Sequence, residues 1–210
     1  MARIGLTVLS VIVALLFTVP IHAQTQPSDA ELAQMLRAGG YVIVFRHGAT
    51  NADQADIDPL NPENIAAQRQ LNAKGEEAAK ALGEAFKRIG VPVGKAITSQ
   101  FNRAYRTAML AGFDPVEKSV DVTEGGLVVS PNENNRRAAA FRKLASAVPS
   151  AATNIVIVTH KPNILDAFGK DWFEVKEGEA TVFRPDGAGY KAVDRIAMDE
   201  WARIATAAQK

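Results

Sequence analysis

The stretch YVIVFRHGAT, from Tyr41 to Thr50, joins a strand signal to a group of chemically active residues. Tyr41 to Phe45 is a short run of β-branched and aromatic residues, which predicts a strand buried on both faces. Arg46, His47 and Gly48 follow directly. Ligands of open α/β sheets bind outside the carboxyl ends of the strands, so this tripeptide is the first candidate for a functional site.

The segments on either side of this strand predict helices. Ser28 to Glu31 forms a capping box, which begins a helix that ends at Gly39-Gly40. Asn72 caps a longer amphipathic helix that ends at Gly90, because Pro92 blocks its continuation. Further helices are expected over about 102–111, 134–148 and 199–208, and a short one has Pro162 as its first residue.

Other apolar runs predict more strands. They cover 96–98, 119–122 and 155–159, and a hairpin joins 180–184 to 190–194 through the turn sequence PDGAG. Strands that alternate with helices predict an α/β fold, here a three-layer sandwich with a mostly parallel central sheet and helices on both faces. The polar range 51–70 is longer than an ordinary loop, which predicts a wall of a binding site with a short helix near 65–68.

The first 23 residues differ from the rest of the chain. Arg3 precedes an almost wholly apolar run from Ile4 to Val19, and the small residue Ala23 ends the segment. This layout predicts a signal peptide over residues 1–23 and a single domain over residues 24–210. An uncleaved membrane anchor is the alternative, but the apolar run is shorter than the ~20 residues of a spanning helix. The prediction therefore includes a periplasmic or secreted location and no stable membrane insertion after cleavage.

Composition excludes several kinds of chemistry and partner. The chain has no cysteine, so disulfides, a thiolate nucleophile and a cysteine-rich zinc site are excluded. Cleavage after residue 23 removes only Arg3 from the charged residues, which leaves 23 Lys and Arg against 23 Asp and Glu. That balance gives no reason to expect nucleic acid or an anionic membrane as a partner.

Basic side chains follow three of the predicted strands. Arg46 and His47 follow the first strand, Arg103 lies just beyond the second, and His160 follows the strand over 155–159. The carboxyl ends of parallel strands share one edge of a sheet, so these side chains are expected to lie together. Guanidinium groups match the geometry of phosphate. The sequence therefore predicts a site for a phosphoryl group.

Three segments also carry a resemblance to a known family. FRHGAT, SQFNRAYRTA and VIVTHKPN resemble the signature segments of the histidine phosphatase superfamily, which has the phosphoglycerate mutase-like fold. QRQLNAKGEEAAKALG is similar to the family's first long helix. The resemblance runs from about Tyr41 to Tyr190 and implies that residues 24–210 form a histidine phosphatase-like catalytic domain.

The resemblance implies a phosphatase that hydrolyses phosphomonoesters through a phosphohistidine intermediate. His47 is then the nucleophile. Arg46, Arg103 and His160 are implied to hold the phosphoryl oxygens, whose charge must be stabilised as the bond breaks. No cofactor and no metal is expected, because cationic side chains supply that stabilisation. The expected partner is a small phosphorylated substrate or a phosphoprotein.

A leaving alkoxide needs a proton, and the family places an acidic residue between the second arginine and the second histidine. Glu124, in VTEGGLVV, fits that position best, and the two glycines after it would let the loop approach the phosphate. Glu133, in SPNENN, is the rival, although it also fits an ordinary acid in the first turn of a helix. Glu124 is therefore the expected proton donor.

Two features depart from familiar patterns. Asp53 lies six residues after His47, where many members of the mutase-like branch have Asn. A carboxylate there would repel a second phosphate, which argues against a bisphosphate-dependent mutase. The acidic stretch DQADID suggests a cation site, but it lacks the glycine and terminal glutamate of an EF-hand, so a solvated loop is favoured.

Several functions remain open at this point. A phosphoglycerate-mutase-like phosphotransferase and a non-catalytic phosphate- or anion-binding protein are the alternatives to a phosphatase. A binding protein needs neither a nucleophile nor an acid, so His47 together with Glu124 favours an enzyme. The predicted pocket walls, 51–70 and 127–135, are neither rich in aromatic residues nor strongly basic, so a nucleotide or a polyphosphate substrate is not indicated.

Overall fold

The computed structural model describes residues 26–187 and 189–209, so the predicted signal peptide lies outside the described residues. Within them, one mixed sheet has the strand order β3-β2-β4-β1-β5-β6. The strands are β1 Val42–Arg46, β2 Val93–Thr98, β3 Val116–Lys118, β4 Asn154–Thr159, β5 Ala180–Asp186 and β6 Gly189–Ile196. In this part of the chain, no helix has the length and apolar character needed to cross a membrane.

The sheet is parallel at its centre and antiparallel at one edge. β4 pairs in parallel with both β1 and β2, and β2 pairs in parallel with β3. The hairpin of β5 and β6 adds two antiparallel pairs beside β1. The register aligns Arg46 with Thr159 and Thr98 with Val158. The carboxyl ends of β1, β4 and β2 therefore meet at one edge, as the sequence predicts.

Helices cover both faces of the sheet, which confirms the predicted three-layer α/β sandwich. Among the described residues, four α-helices pack on one face and two on the other. The first group consists of α1 Asp29–Ala38, α2 Ala73–Ile89, α3 Asn102–Leu110 and α6 Trp201–Ala207, and the second of α4 Pro131–Ala145 and α5 Lys161–Phe168.

The buried run of β1 divides its side chains between two cores. Ile43 and Phe45 face the core with α1, α2, α3 and α6, whereas Val42 and Val44 face the core with α4 and α5. This alternation explains why the strand has no polar position before Arg46. Burying both faces removes a large apolar area from water, which stabilises the strand whose end carries the candidate site.

Two local predictions are wrong. Val120–Val122 is a short 3₁₀ helix rather than a strand, because the Ser119 side chain accepts a hydrogen bond from the Asp121 N–H and turns the chain. The neighbouring strand is β3, just before it. The helix expected from Asn134 begins earlier, at Pro131, because Ser130 caps it through the Glu133 N–H.

Two further helix boundaries differ from those that the sequence predicts. α4 ends at Ala145, so Val148 does not extend its apolar side and is instead 80% exposed. Pro162 is the second residue of α5 rather than the first, and His160 occupies the N-cap position. Strand β4 therefore passes into α5 through His160 itself, which fixes the backbone of this residue at the edge of the sheet.

Candidate active site

The edge of the sheet brings four basic side chains together. We call Arg46, His47, Arg103 and His160 the floor of the site. The His47 N–H donates to the Thr159 carbonyl over 2.9 Å, which ties the end of β1 to the end of β4. The rings of His47 and His160 lie 5.1 Å apart, centroid to centroid. The positions predicted from three separate strand ends thus converge.

The His47 side chain is oriented by its own loop. Its Nδ1–H donates to the Gly48 carbonyl over 2.8 Å, which leaves a lone pair on Nε2 when the ring is neutral. Burial, followed by the charges of His160 and Arg103, lowers the pKa of His47 well below its ordinary value. The ring is therefore neutral at pH 7, which is the form that can act as a nucleophile.

The loop after His47 is held by α2 and α3. The Gly48 N–H donates to the Thr107 hydroxyl over 3.1 Å, and that hydroxyl donates to the Arg103 carbonyl. A Cβ on Gly75 would lie 2.1 Å from the Ala49 carbonyl oxygen, so only glycine lets the first turn of α2 approach this loop. The chain thus fixes the loop from two sides.

His160 is fully buried, and its contact with Ser99 determines which ring nitrogen carries the proton. The Ser99 hydroxyl accepts from the Phe101 N–H and lies 2.7 Å from His160 Nε2, to which it can donate its own proton. Nδ1 then carries the ring proton, 3.5 Å from Glu124 Oε1. Burial, followed by the charge of Arg103, lowers the pKa of His160 well below its usual range. A neutral ring can still donate this hydrogen bond.

Arg103 is the buried cation of the site. It lies in the first turn of α3, is fully buried, and packs over the Phe101 ring at 4.7 Å. Its guanidinium donates to Asp56 Oδ1 over 2.9 Å and to Glu124 Oε1. Burying a charge is costly unless it is paired, so these two carboxylates stabilise Arg103 in the folded chain.

Arg46 binds the loop before β5. It donates to the Val175 carbonyl over 2.9 Å and lies 3.5 Å from Glu177 Oε1. Burial lowers the pKa of Arg46 from its usual value, and Glu177 partly offsets this change. The guanidinium remains charged, since an arginine pKa lies far above neutral pH.

Three buried nitrogens of the floor have no hydrogen-bond partner among the described residues. They are Nε of Arg46, Nε of Arg103 and Nδ1 of His160. Buried polar atoms in native proteins are nearly always paired, so unpaired donors gathered at one place indicate a ligand that accepts hydrogen bonds. The surrounding cationic groups favour an anion.

Glu124 and Glu133 have different surroundings. Glu124 contacts the floor through Arg103 and His160. Its position is set by Thr123, whose carbonyl accepts from Arg137 and Asn163. Glu133 instead accepts from Arg136 and Arg137, and these hydrogen bonds lower its pKa to about 2. Glu133 is therefore ionised at neutral pH and has no proton to give.

The sequence matches a known protein family, and the fold matches solved structures. The family described as "Histidine phosphatase superfamily (branch 1)" matches residues 42–125. The protein histidine phosphatase SixA, solved with tungstate, has 16% identity and a TM-score of 0.52, over 76% of this chain and 98% of that one. Residues 42–125 thus match the histidine phosphatase superfamily, and the chain shares the fold of SixA.

Two further solved structures have the same fold. YhfR from Bacillus stearothermophilus has 16% identity and a TM-score of 0.52, over 75% of this chain and 98% of that one. A mycobacterial glucosyl-3-phosphoglycerate phosphatase in complex with VO3 has 16% identity and a TM-score of 0.52, over 73% and 97%. No curated protein matches by sequence. At 16% identity, these structures show that the chain shares their fold.

Sequence reasoning missed two residues that act on this site. Asp56, not the exposed Asp53, is the carboxylate of the 51–70 loop that reaches Arg103, so this loop is not simply solvated. The charge of Arg69 helps to lower the pKa of His160 and of Arg46. A lone arginine before a helix gives no signal of its own, and the fold of a loop cannot be read from periodicity.

Two loops form the side of the site that faces solvent. We call residues 51–70 and 124–130 the wall. Gln68 accepts from the Asn102 N–H and Gln70 from the Asn102 side chain, which fastens the first loop to the start of α3. In the second, the Asn134 side chain donates to the Gly126 carbonyl. No group of three or more His, Asp or Glu is positioned to hold a metal ion within residues 26–187 and 189–209.

Proposed function

We propose that this protein is a phosphatase that hydrolyses phosphomonoesters through a phosphohistidine formed on His47. One observation carries the proposal: a neutral imidazole with a free Nε2 lone pair lies beside Arg46, Arg103 and His160. Each of these three side chains has one buried nitrogen without a hydrogen-bond partner among the described residues. An anion held there would lie next to a nucleophile in its reactive form.

In the first step, His47 Nε2 attacks phosphorus and the bond from phosphorus to the leaving oxygen breaks. Arg46 and Arg103 stabilise the charge on the remaining phosphoryl oxygens, and His160 Nδ1–H donates to one of them. The leaving oxygen takes a proton from Glu124.

In the second step, water attacks the phosphohistidine. The Glu124 carboxylate accepts the proton from that water, the nitrogen–phosphorus bond breaks, and His47 returns to its neutral state. Inorganic phosphate then leaves. The guanidinium groups of Arg46 and Arg103 supply the positive charge that a metal ion supplies in other phosphatases, so the proposed reaction is metal-independent.

The mutase-like phosphotransferase is less well supported than hydrolysis. A mutase must hold a second phosphate of the same substrate near the first. The carboxylate of Asp56 lies beside Arg103, where it would repel that second anion. A non-catalytic anion-binding protein has no need of the oriented His47 ring.

The experiment is turnover of p-nitrophenyl phosphate by the purified protein, with and without EDTA. We expect hydrolysis that EDTA does not reduce. His47→Gln should lower kcat by about 10⁴-fold or more, because the nucleophile is lost. An amide of similar size keeps the volume filled, and a urea unfolding curve checks that the variant folds. Equal turnover by both proteins would remove His47 from its role, and loss of activity in EDTA would contradict metal independence.

We also propose that the protein is exported and acts in the periplasm or outside the cell. This rests on the layout of residues 1–23 alone. Mass spectrometry of the N-terminal peptide from a cell-envelope fraction should find Gln24 as the first residue. A protein recovered with residues 1–23 attached would instead favour the membrane-anchor alternative.

A further inference from the structure

A cavity of about 150 Å³ opens between the two loops of the wall, beside the Arg103 carboxylate partners. Asp56 and Pro59 line it from the first loop, and the segment from Glu124 to Val128 lines it from the second. Phe101, whose ring packs under the Arg103 guanidinium, completes the lining. We call this space the mouth cavity.

The mouth cavity is the place for the alcohol portion of the substrate. The leaving oxygen must lie within hydrogen-bond reach of its proton donor, so the alcohol has to occupy a space that borders Glu124. A larger cleft of about 500 Å³ lies beside Gly48, between α2 and α6, but Glu124 does not line it. Volume alone would place the alcohol in the larger cleft, but the need for contact with Glu124 places it in the mouth cavity.

Apolar side chains surround the mouth cavity. Pro59, Phe101, Leu127 and Val128 line it, and the Leu127 side chain is fully exposed to solvent. Ile57 and Leu60, on either side of Pro59, are also mostly exposed. Single exposed apolar residues are common, but several on two facing loops beside a reactive centre indicate a binding surface.

The loop that carries Leu127 has a constrained backbone. The Val128 N–H donates to the Gly125 carbonyl over 3.1 Å, and Gly126 has a φ of +51°, which favours glycine. A Cβ on Gly125 would lie 2.2 Å from Val129 Cγ2. The backbone of this tight turn therefore holds the Leu127 side chain in solvent.

The charges of the mouth cavity restrict the alcohol further. Among the described residues, the charged groups that line it are the carboxylates of Asp56 and Glu124. Both groups pair with Arg103, which is the nearby cation. In the proposed reaction, Arg103 stabilises the reacting phosphoryl group and is not available to a second anion. A second phosphate or a carboxylate on the alcohol would meet negative charge and apolar surface.

We propose that the substrate is a phosphomonoester with one phosphate and an apolar, uncharged alcohol, which packs against Leu127, Val128 and Pro59. This inference rests on the proposed function of the same site. Apolar contact lowers the free energy of the bound substrate, whereas the hydroxyls of a sugar or of glycerol lose hydrogen bonds to water without finding partners on these side chains.

The test measures kcat/KM for matched alkyl phosphates. Propyl phosphate should exceed glycerol 3-phosphate by about tenfold, since the two leaving groups differ only in their hydroxyls. Lengthening the chain from propyl to hexyl should raise kcat/KM by about tenfold or more, because each methylene that is buried adds up to about fourfold. Propane-1,3-diol bisphosphate should be a poorer substrate than propyl phosphate.

Two exposed apolar positions provide a matched pair of variants. Leu127→Asn should reduce the ratio of hexyl to propyl turnover by about threefold or more. Val148→Asn, at an exposed position beyond α4, should leave that ratio unchanged. The phosphohistidine label formed on His47 after rapid quenching in alkali checks that the reacting groups of each variant are intact, because this label does not depend on the alcohol that has left.

The outcomes separate this inference from the proposed function. If the protein hydrolyses p-nitrophenyl phosphate but turns over glycerol 3-phosphate or the bisphosphate as well as propyl phosphate, the inference is wrong and the proposed function stands. A chain-length effect that Leu127→Asn does not alter would also overturn it. If no ester is hydrolysed, the proposed function fails and this inference fails with it.

Discussion

The floor and the wall of this site are built in different ways. His47, Arg103 and His160 of the floor are at most 2% exposed and lie at the ends of strands or in the first turn of a helix. The wall consists of loops, and Leu127 at its tip is fully exposed. Rigid elements position reacting groups more precisely than loops do, while loops vary without cost to the core.

This difference separates catalysis from selectivity. A change in the floor should slow every phosphomonoester by a similar factor, because all share the phosphoryl group. A change in the wall should depend on the alcohol. Glu124 belongs to both regions, since it lies in a wall loop and contacts Arg103 and His160 of the floor. The predictions below test this division.

The largest of these effects is expected for Arg103→Lys. Lysine cannot reproduce the planar guanidinium that pairs with both Asp56 and Glu124, so kcat/KM should fall about 10²–10³-fold. The factor should be similar for p-nitrophenyl phosphate and for propyl phosphate. Arg106→Lys, on the half-exposed side of the same helix, is the matched control and should change little. A loss confined to one substrate would contradict the division.

A smaller and substrate-dependent effect is expected for Glu124→Gln. Propyl phosphate should lose about 10²-fold in kcat, because its alkoxide is a poor leaving group and needs the proton. p-Nitrophenyl phosphate should lose much less. Glu133→Gln is the matched control, because Glu133 is ionised and bound to Arg136 and Arg137. Equal slowing of both substrates by Glu124→Gln would remove it from the role of acid.

The smallest effect concerns the buried imidazoles of the floor. The folded-state pKa values of His47 and His160 lie well below the unfolded value of about 6.5, so the unfolded chain binds more protons just below that pH. The free energy of unfolding should be unaffected by these groups above pH 6.5 and should fall as the pH drops below it. Each histidine contributes up to about 1.4 kcal/mol per pH unit.

Urea unfolding in phosphate-free buffer between pH 5 and 8 measures this pH dependence. His47→Gln should lose the contribution of one group, so its unfolding free energy should fall less steeply than that of the wild type below pH 6.5. Parallel curves for the two proteins would show that His47 is not buried in its neutral form, which would contradict the description of the floor.

Sequence patterns could predict the floor because its residues follow segments that are recognisable as strands. The buried run before Arg46, and the run from Ile155 to Thr159 before His160, are strands by pattern alone. Parallel strands then require their carboxyl ends to meet. The first residues of α1 and α2 can be predicted equally well, since the side chains of Ser28 and Asn72 each accept a hydrogen bond from an N–H of the following turn.

The wall could not be predicted to the same depth. A loop has no period, so nothing along the chain distinguishes Asp53, which is exposed, from Asp56, which binds Arg103. That choice depends on how Gln68 and Gln70 fasten the loop to Asn102. At 120–122, the sequence predicts a strand where the structure has a 3₁₀ helix, for a related reason. The Ser119 side chain competes with strand pairing through a local hydrogen bond.

The measurement that tests the central claim most directly is rapid quenching of the enzyme in alkali after mixing with a phosphomonoester that carries a radioactive phosphate. The account predicts a phosphoryl label on the peptide that contains His47, stable in alkali and lost in acid, as expected of a bond from phosphorus to an imidazole nitrogen. His47→Gln should carry no label. A label on another residue, or one that survives acid and is lost in alkali, would contradict the account.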